Sequence, residues 1–154
     1  HHGDFHLGQV LVVRDDVFII DFEGEPRRSL SERRMKAPAA RDVAGLIRSI
    51  DYSVTSAQER VLKTEADDDG RLAEALSVWR DEATQTFLAA YREAMSDSRL
   101  WPQDEGENDG ILRFFLLEKA LYEIDYELAH RPDWLRVALD GALRALRNGR
   151  RDRA

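Results

Sequence analysis

The stretch HGDFHLGQ at residues 2–9, followed by IDFEG at residues 20–24, decides how this chain is interpreted. The first segment places the carboxylate of Asp4 five residues before the amide of Gln9, and the second adds the carboxylate of Asp21. In kinase catalytic loops, an Asp that accepts the proton of the attacking hydroxyl precedes an amide metal ligand by the same five residues. Carboxylate and amide oxygens also suit Mg²⁺. The two segments therefore predict a phosphotransferase site.

Two short apolar runs explain how Asp21 would reach the other two side chains. Residues 10–13 and 17–20 are rich in β-branched side chains and are separated by the polar residues 14–16. This pattern predicts a β-hairpin with a three-residue turn. Because antiparallel strands return the chain to where it began, Gln9 and Asp21 are expected side by side at the open end of the hairpin.

Three further side chains of these segments are site candidates. Glu23 lies two positions beyond Asp21, which places it on the same side of an extended backbone, so it is an additional candidate for the metal or the hydroxyl. His2 and His6 stand four residues apart and would be possible metal ligands. The chain has no cysteine to accompany them, and we therefore assign both histidines the structural role of shaping the loop.

The rest of the chain is predicted to be helical. Apolar residues recur at helical spacing within 43–50, 72–91, 111–128 and 135–146. Loops are expected at 24–40, 67–70 and 101–110, an end to the last helix at 148–149, and a frayed basic tail at 150–154. We predict an α+β, mainly α-helical domain over residues 1–149, with the catalytic and metal-binding segments at 2–26 and about four helices in a subdomain at 41–149.

Composition excludes several classes of partner. The formal net charge is −7 over 154 residues, which argues against a nucleic-acid-binding face. The absence of cysteine excludes disulfides and thiolate chemistry. No apolar run approaches the roughly 18 residues that a membrane span needs. We therefore expect a cytoplasmic protein that binds neither nucleic acid nor a membrane.

At these motifs the sequence resembles the aminoglycoside-phosphotransferase-like kinases, whose catalytic loop reads H-G-D-x-H-x-x-N and whose metal segment reads I-D-F or I-D-W. Gln9 in place of the usual Asn, together with DFEGEP at 21–26, is similar to the maltokinase branch, which is often fused to trehalose synthase. Residues 41–52 and 118–127 also resemble helical segments of that branch.

The resemblance implies the C-terminal lobe of a protein-kinase-like fold. It also implies ATP-dependent phosphorylation of maltose to maltose 1-phosphate, with Mg²⁺, in the service of α-glucan (glycogen) synthesis. Carried over by position, Asp4 would be the catalytic base, and Gln9 and Asp21 would be the magnesium ligands.

Two groups of residues remain open to more than one interpretation. Lys119, Tyr122, Glu123 and Tyr126 share one helical face, which would be either a wall of the acceptor pocket or a solvated face with tyrosines at its edge. The basic residues between 27 and 36 would form either a solvated loop, which we favour, or a surface near the nucleotide. This cluster consists of Arg27, Arg28, Arg33, Arg34 and Lys36.

A kinase of this class binds ATP between two lobes, and the N-terminal lobe supplies the loop and the lysine that contact the phosphates. We therefore expect this chain to be a C-terminal-lobe fragment that is inactive alone. It would belong with an N-terminal lobe and possibly with a fused trehalose synthase domain. Its uncovered inter-lobe face could mediate self-association. Two alternatives stay open. The acceptor would be an aminoglycoside, choline or another small alcohol, or the chain would be a non-catalytic carbohydrate-binding module derived from a kinase lobe.

Overall fold

A computed structural model describes residues 1–62 and 70–151, with side chains up to residue 147. A β-hairpin is followed by one short helix and four long ones. The elements are β1 (Val10–Val13), β2 (Asp16–Ile19), α1 (Leu30–Arg33), α2 (Ala40–Leu62), α3 (Arg71–Ala94), α4 (Glu105–His130) and α5 (Leu135–Arg151), with single 3₁₀ turns at Leu7–Gln9 and Pro132–Trp134. The prediction of a mainly helical α+β fold that starts with a hairpin is confirmed.

The hairpin turn is shorter than predicted. Val13 pairs with Asp16, so only residues 14 and 15 lie between the strands, and β2 begins and ends one residue early. Arg14 adopts a left-handed backbone with φ 58°, which reverses the chain within two residues. The apolar side chains of both strands are largely exposed to solvent. Self-association through the uncovered inter-lobe face stays a prediction.

The predicted loop at residues 24–40 contains helix α1. Ser29 accepts a hydrogen bond from the Glu32 amide, and the Glu32 carboxylate accepts one from the Ser29 amide, which forms a capping box. The S-x-x-E spacing was visible in the sequence. It was missed because α1 has a single turn and therefore no apolar periodicity.

The remaining differences concern helix ends. α4 begins at Glu105, inside the predicted loop at 101–110, because the Asp104 carboxylate caps the Glu107 amide at 2.8 Å. α5 continues past Gly149 to Arg151 instead of ending at Asn148. The acidic residues 67–69 and the end of the predicted tail, 152–154, lie outside the described residues.

Helix α2 is the centre of the domain and packs against α3, α4 and α5. The apolar core consists of Ala40, Val43, Ala44, Ile47, Trp101 and Leu112. Beside it lies an ionic centre, in which Arg48 is 2% exposed and donates to Oε2 of Glu123 through Nε at 2.8 Å and Nη2 at 2.6 Å. Arg48 also donates to the Val137 carbonyl at 3.2 Å and so joins α2 to α4 and α5. Among the described residues, no helix has the length and apolar character needed to cross a membrane.

Candidate active site

The N-terminal loop is anchored on the first turns of α2. The Asp42 carboxylate accepts hydrogen bonds from two consecutive backbone amides, from His2 through Oδ2 and from Gly3 through Oδ1 at 2.8 Å. Gly3 itself has φ 91°, a backbone conformation that glycine adopts without strain. A single carboxylate thus holds the residues immediately before Asp4.

The same face of α2 contacts the loop twice more. Gly45 lies so close to the Phe5 carbonyl that a Cβ at this position would be 2.5 Å from the oxygen. One turn later, the Ser49 hydroxyl accepts a hydrogen bond from the Leu7 amide at 3.0 Å. With Asp42, these residues form a continuous support for the loop backbone, because positions 42, 45 and 49 share a helix face.

Both histidines of the loop bind backbone groups. The His2 ring is buried, contacts the Ile20 carbonyl through Nε2 at 2.8 Å, and packs against Phe5 and Phe22. His6 accepts a hydrogen bond from the Gly8 amide through Nδ1 at 3.1 Å. His2 therefore connects the loop to the end of β2, next to Asp21.

The hairpin brings Gln9 and Asp21 together. Gln9 Nε2 donates to Asp21 Oδ2 at 3.1 Å and lies 3.4 Å from His6 Nε2, which in turn is 4.0 Å from Asp4 Oδ2. Asp21 has φ 63°, so its carboxylate projects from a left-handed turn at the strand end.

This pair fits a magnesium site. Within the described ranges, no three His, Cys, Asp or Glu side chains form a metal cluster. Mg²⁺ nevertheless needs few protein ligands, because it keeps several waters and binds substrate phosphates. One carboxylate and one amide suffice, provided that the Gln9 amide turns its oxygen toward the ion. The ligand roles of Gln9 and Asp21 stay predictions.

Glu25 lies beside Asp4, and the site role of Glu23 stays a prediction. Glu23 is exposed, and its backbone carbonyl accepts a hydrogen bond from Arg33 Nη1 at 3.2 Å. The expectation for Glu23 assumed an extended backbone, but the left-handed residues Asp21 and Gly24 break the alternation of side chains. The sequence offered no signal for Glu25 beyond its position in the GEP tripeptide.

Asp4 and Glu25 form a carboxylate pair with a cation between them. Lys119 Nζ lies 3.8 Å from Asp4 Oδ1 and 3.8 Å from Glu25 Oε2. Burial raises the pKa of Asp4, and the neighbouring Glu25 carboxylate raises it further, whereas the charges of Lys119 and His6 act in the opposite direction. A carboxylate with a raised pKa is a stronger base once it is deprotonated.

A small cleft opens in front of this pair. Its lining includes Asp4, Glu25, Lys119 and Tyr122. The Tyr122 hydroxyl is buried next to the Glu25 carboxylate and the Arg27 guanidinium. Burial, and then the charge of Glu25, raise the pKa of this phenol to about 12. Lys119 and Tyr122 thus lie in the wall where the sequence placed them, although their binding of substrate stays a prediction.

Two of the five residues of the basic cluster, Arg27 and Arg28, pack on this wall, whereas Arg34 and Lys36 are exposed, as expected of the solvated loop that we favoured. The Arg27 guanidinium lies over the rings of Tyr122 and Tyr126, at 5.9 and 5.3 Å from their centroids. Arg28 Nη2 donates to Glu118 Oε1 at 2.9 Å. The loop after the metal segment is therefore held against α4 by cation–π and ionic contacts.

Glu123 does not lie in the cleft wall where it was predicted. Its side chain is buried and binds Arg48 in the ionic centre of the domain. The next helical position is rotated by about 100°, so Tyr122 faces the cleft while Glu123 faces α2.

No family model matches the chain. It is 31% identical over 136 residues to a glucosamine kinase of Streptacidiphilus jiangxiensis, a match that covers 88% of this chain and 29% of the relative. It is 32% identical over 146 residues to a glucosamine kinase of Mycolicibacterium smegmatis (strain ATCC 700084 / mc(2)155), covering 94% of this chain and 33% of the relative. The chain thus spans about a third of the length of these relatives.

Solved structures of glucosamine kinase have the same fold. Crystal form A matches with a TM-score of 0.78 and 27% identity over 99% of this chain and 35% of that chain. A complex with glucosamine, ADP and inorganic phosphate matches with a TM-score of 0.76 and 26% identity, covering 99% of this chain and 36% of that chain. The fold is a kinase-like C-terminal lobe. These similarities support a sugar kinase, but they do not support maltokinase specifically.

Proposed function

We propose that the whole protein transfers the γ-phosphoryl group of ATP to a hydroxyl of a sugar. The observation that carries the proposal is the row of contacts from Asp4 through His6 and Gln9 to Asp21, at the edge of a cleft in a chain similar to glucosamine kinases. This row supports the proposal, because phosphoryl transfer requires a base and oxygen ligands for a metal side by side.

In the proposed reaction, Asp4 orients the sugar hydroxyl and accepts its proton. The sugar oxygen forms a bond to the γ-phosphorus while the bond from that phosphorus to the bridging oxygen of ADP breaks. Mg²⁺ held by Gln9 and Asp21 would neutralise charge on the phosphate oxygens. Lys119 and Tyr122 would line the acceptor side of the cleft, whereas Tyr126 is not part of its lining and packs against Arg27, His130 and Arg131.

Two acceptors deserve testing first. Glucosamine is supported by the names of both relatives and by the ligands of the solved complex. Maltose is supported by Gln9 and the DFEGEP segment at 21–26, which resemble the maltokinase branch. Since the chain covers about a third of its relatives, we propose that the ATP-binding lobe belongs to the remainder of the protein and that the isolated chain is inactive.

The test is ADP release by the whole protein with Mg-ATP and a panel of glucosamine, maltose, an aminoglycoside and choline, with ³¹P NMR of the product. We expect sugar-dependent ADP release that Asp4→Asn lowers by about 10²-fold or more, while Asp15→Asn at the hairpin turn leaves it unchanged. Phosphorylation of choline alone would favour the other acceptor class. Maltose binding without any ATP turnover would favour a non-catalytic module.

A further inference from the structure

A second cavity opens between α2, α3 and α5. It has a volume of about 130 Å³, which is enough for several water molecules or a small ligand. Among the described residues, none lines both this cavity and the catalytic cleft. Its polar lining includes Asp51 and Thr55 of α2, Ser77 and Arg80 of α3, and Asp140 and Arg144 of α5.

Three arginines meet at one buried carboxylate in the wall of this cavity. Asp51 Oδ1 lies 2.6 Å from Arg144 Nη2 and 3.9 Å from Arg80 Nε. Asp51 Oδ2 accepts a hydrogen bond from Arg48 Nη1 at 2.5 Å. The only other buried carboxylate of this group is that of Glu123, which binds Arg48. Among the described side chains, three guanidinium groups thus share two buried carboxylates, which leaves one positive charge in excess.

Two carboxylates at the rim offset this excess only in part. Asp81 lies 2.8 Å from Arg80 Nη2, but its side chain is 59% exposed. Asp140 is 52% exposed and lies 3.7 Å from Arg136. Exposed ion pairs of this kind are screened by solvent and contribute little. The excess charge therefore remains with Arg80 and Arg144, whose side chains are 19% and 35% exposed.

The lining presents hydrogen-bond donors from two helices to the same space. The guanidinium group holds its N–H groups in a planar fork that matches the oxygens of a phosphate. Arg80 of α3 and Arg144 of α5 each provide such a fork. The Ser77 hydroxyl accepts a hydrogen bond from Arg80 Nη2 at 3.0 Å, so its own hydrogen is a further donor. A tetrahedral phosphate has enough oxygens for all three side chains, whereas a carboxylate has only two.

We propose that this cavity binds the phosphate group of a small ligand, either inorganic phosphate or a phosphate monoester, between Arg80 and Arg144. The inference does not depend on the proposed sugar kinase activity, because these residues have no part in the phosphoryl transfer described above. A bound phosphate stabilises the packing of α3 and α5 on α2, since only the folded domain brings both arginines together.

The experiment is calorimetric titration of the whole protein with inorganic phosphate and, separately, with glucose 6-phosphate, both at constant ionic strength. We expect saturable binding of at least one of them, and tighter binding of the monoester would identify it as the ligand. Arg80→Gln and Arg144→Gln should each weaken binding about tenfold or more, because hydrogen bonds to a charged group are lost. Arg144→Lys should keep part of the affinity, since it retains the charge without the fork.

Arg92→Gln is the matched control, because it removes an arginine of α3 that lies outside the cavity and pairs with Asp109 at 2.6 Å. It should leave phosphate binding unchanged, as should Asp4→Asn in the catalytic cleft. Binding that survives both Arg80→Gln and Arg144→Gln, or that is lost in Asp4→Asn, would overturn the inference by placing the phosphate elsewhere. Absence of saturable binding in the folded wild type would overturn it as well.

Discussion

Asp42 Oδ1 accepts a hydrogen bond from the backbone amide of Gly3 at 2.8 Å, one residue before the proposed base. The other oxygen of the same carboxylate accepts the His2 amide. The position of the Asp4 side chain therefore depends on a residue of α2 that lines the cleft but has no assigned part in the chemistry. Because phosphoryl transfer depends mainly on positioning, this anchor is expected to control the rate.

Asp42→Asn is expected to lower kcat by about 10-fold to 100-fold, because an amide can accept one backbone N–H but presents its own N–H to the other. KM for ATP should change little. Steady-state kinetics of the whole protein measure both. Asp140→Asn on α5, whose partner is Arg136, is the control that should leave kcat unchanged. Full activity in Asp42→Asn would show that the loop holds its conformation without the anchor.

The acid limb of the pH–rate profile is expected to move in opposite directions in two variants. Asp4 must be deprotonated to act as a base, so kcat falls as the pH drops through the Asp4 pKa. Glu25 raises this pKa, and Glu25→Gln should therefore extend activity to lower pH. Lys119 lowers it, and Lys119→Met should move the limb to higher pH. The profiles of kcat at saturating acceptor provide the measurement, and shifts of the same sign would contradict the assignment.

Asp21→Asn is expected to raise the Mg²⁺ concentration for half-maximal activity by about tenfold or more, since an amide is a weaker ligand than a carboxylate. Asn also tolerates the left-handed backbone at this position, so the fold should be preserved. A titration of activity with Mg²⁺ gives the result. Asp15→Asn removes an equal charge at the far end of the hairpin and should leave the magnesium dependence unchanged.

Gly141→Ala and Gly110→Ala are expected to change stability in opposite directions. A Cβ on Gly141 would overlap Nη1 of the buried Arg48, so this variant should lower the free energy of unfolding by about 1–3 kcal/mol. Nothing lies within 4 Å of a Cβ on Gly110, so Ala should stabilise α4 there by about 0.5–1 kcal/mol. Thermal melts of the two variants decide this. A stabilised Gly141→Ala would mean that Arg48 can move aside without cost.

Arg48→Met is expected to destabilise the domain by about 3–5 kcal/mol, because it leaves the 8%-exposed Glu123 without its cation. Asp51 would keep Arg144, which lies 2.6 Å away. The double variant Arg48→Met/Glu123→Leu should recover much of the loss, since it removes both buried charges. Urea unfolding of the single and double variants measures the coupling. Additive losses would show that the two side chains act independently.

The local features of the site could be predicted because they depend on residues close in sequence. Two β-branched runs with a polar turn predicted the hairpin that brings Gln9 next to Asp21. The five-residue spacing of Asp4 and Gln9 predicted the catalytic loop before it. The apolar periodicities likewise predicted the four long helices. Errors of a few residues arose where single side chains, such as those of Ser29 and Asp104, cap helices that have no apolar periodicity at their start.

The sequence by itself determined the proposed chemical type of the site, because a candidate base and candidate oxygen ligands at kinase spacing lie within one loop and one hairpin. Only the tertiary structure decided which distant residues surround it. It placed Asp42 under the loop, Glu25 and Lys119 beside Asp4, and Glu123 in the core with Arg48. Such contacts depend on the packing of α2 against α4 and on left-handed residues that break strand alternation. Neither leaves a periodic signal in the sequence, because periodicity reports which face of an element is buried and not what it meets.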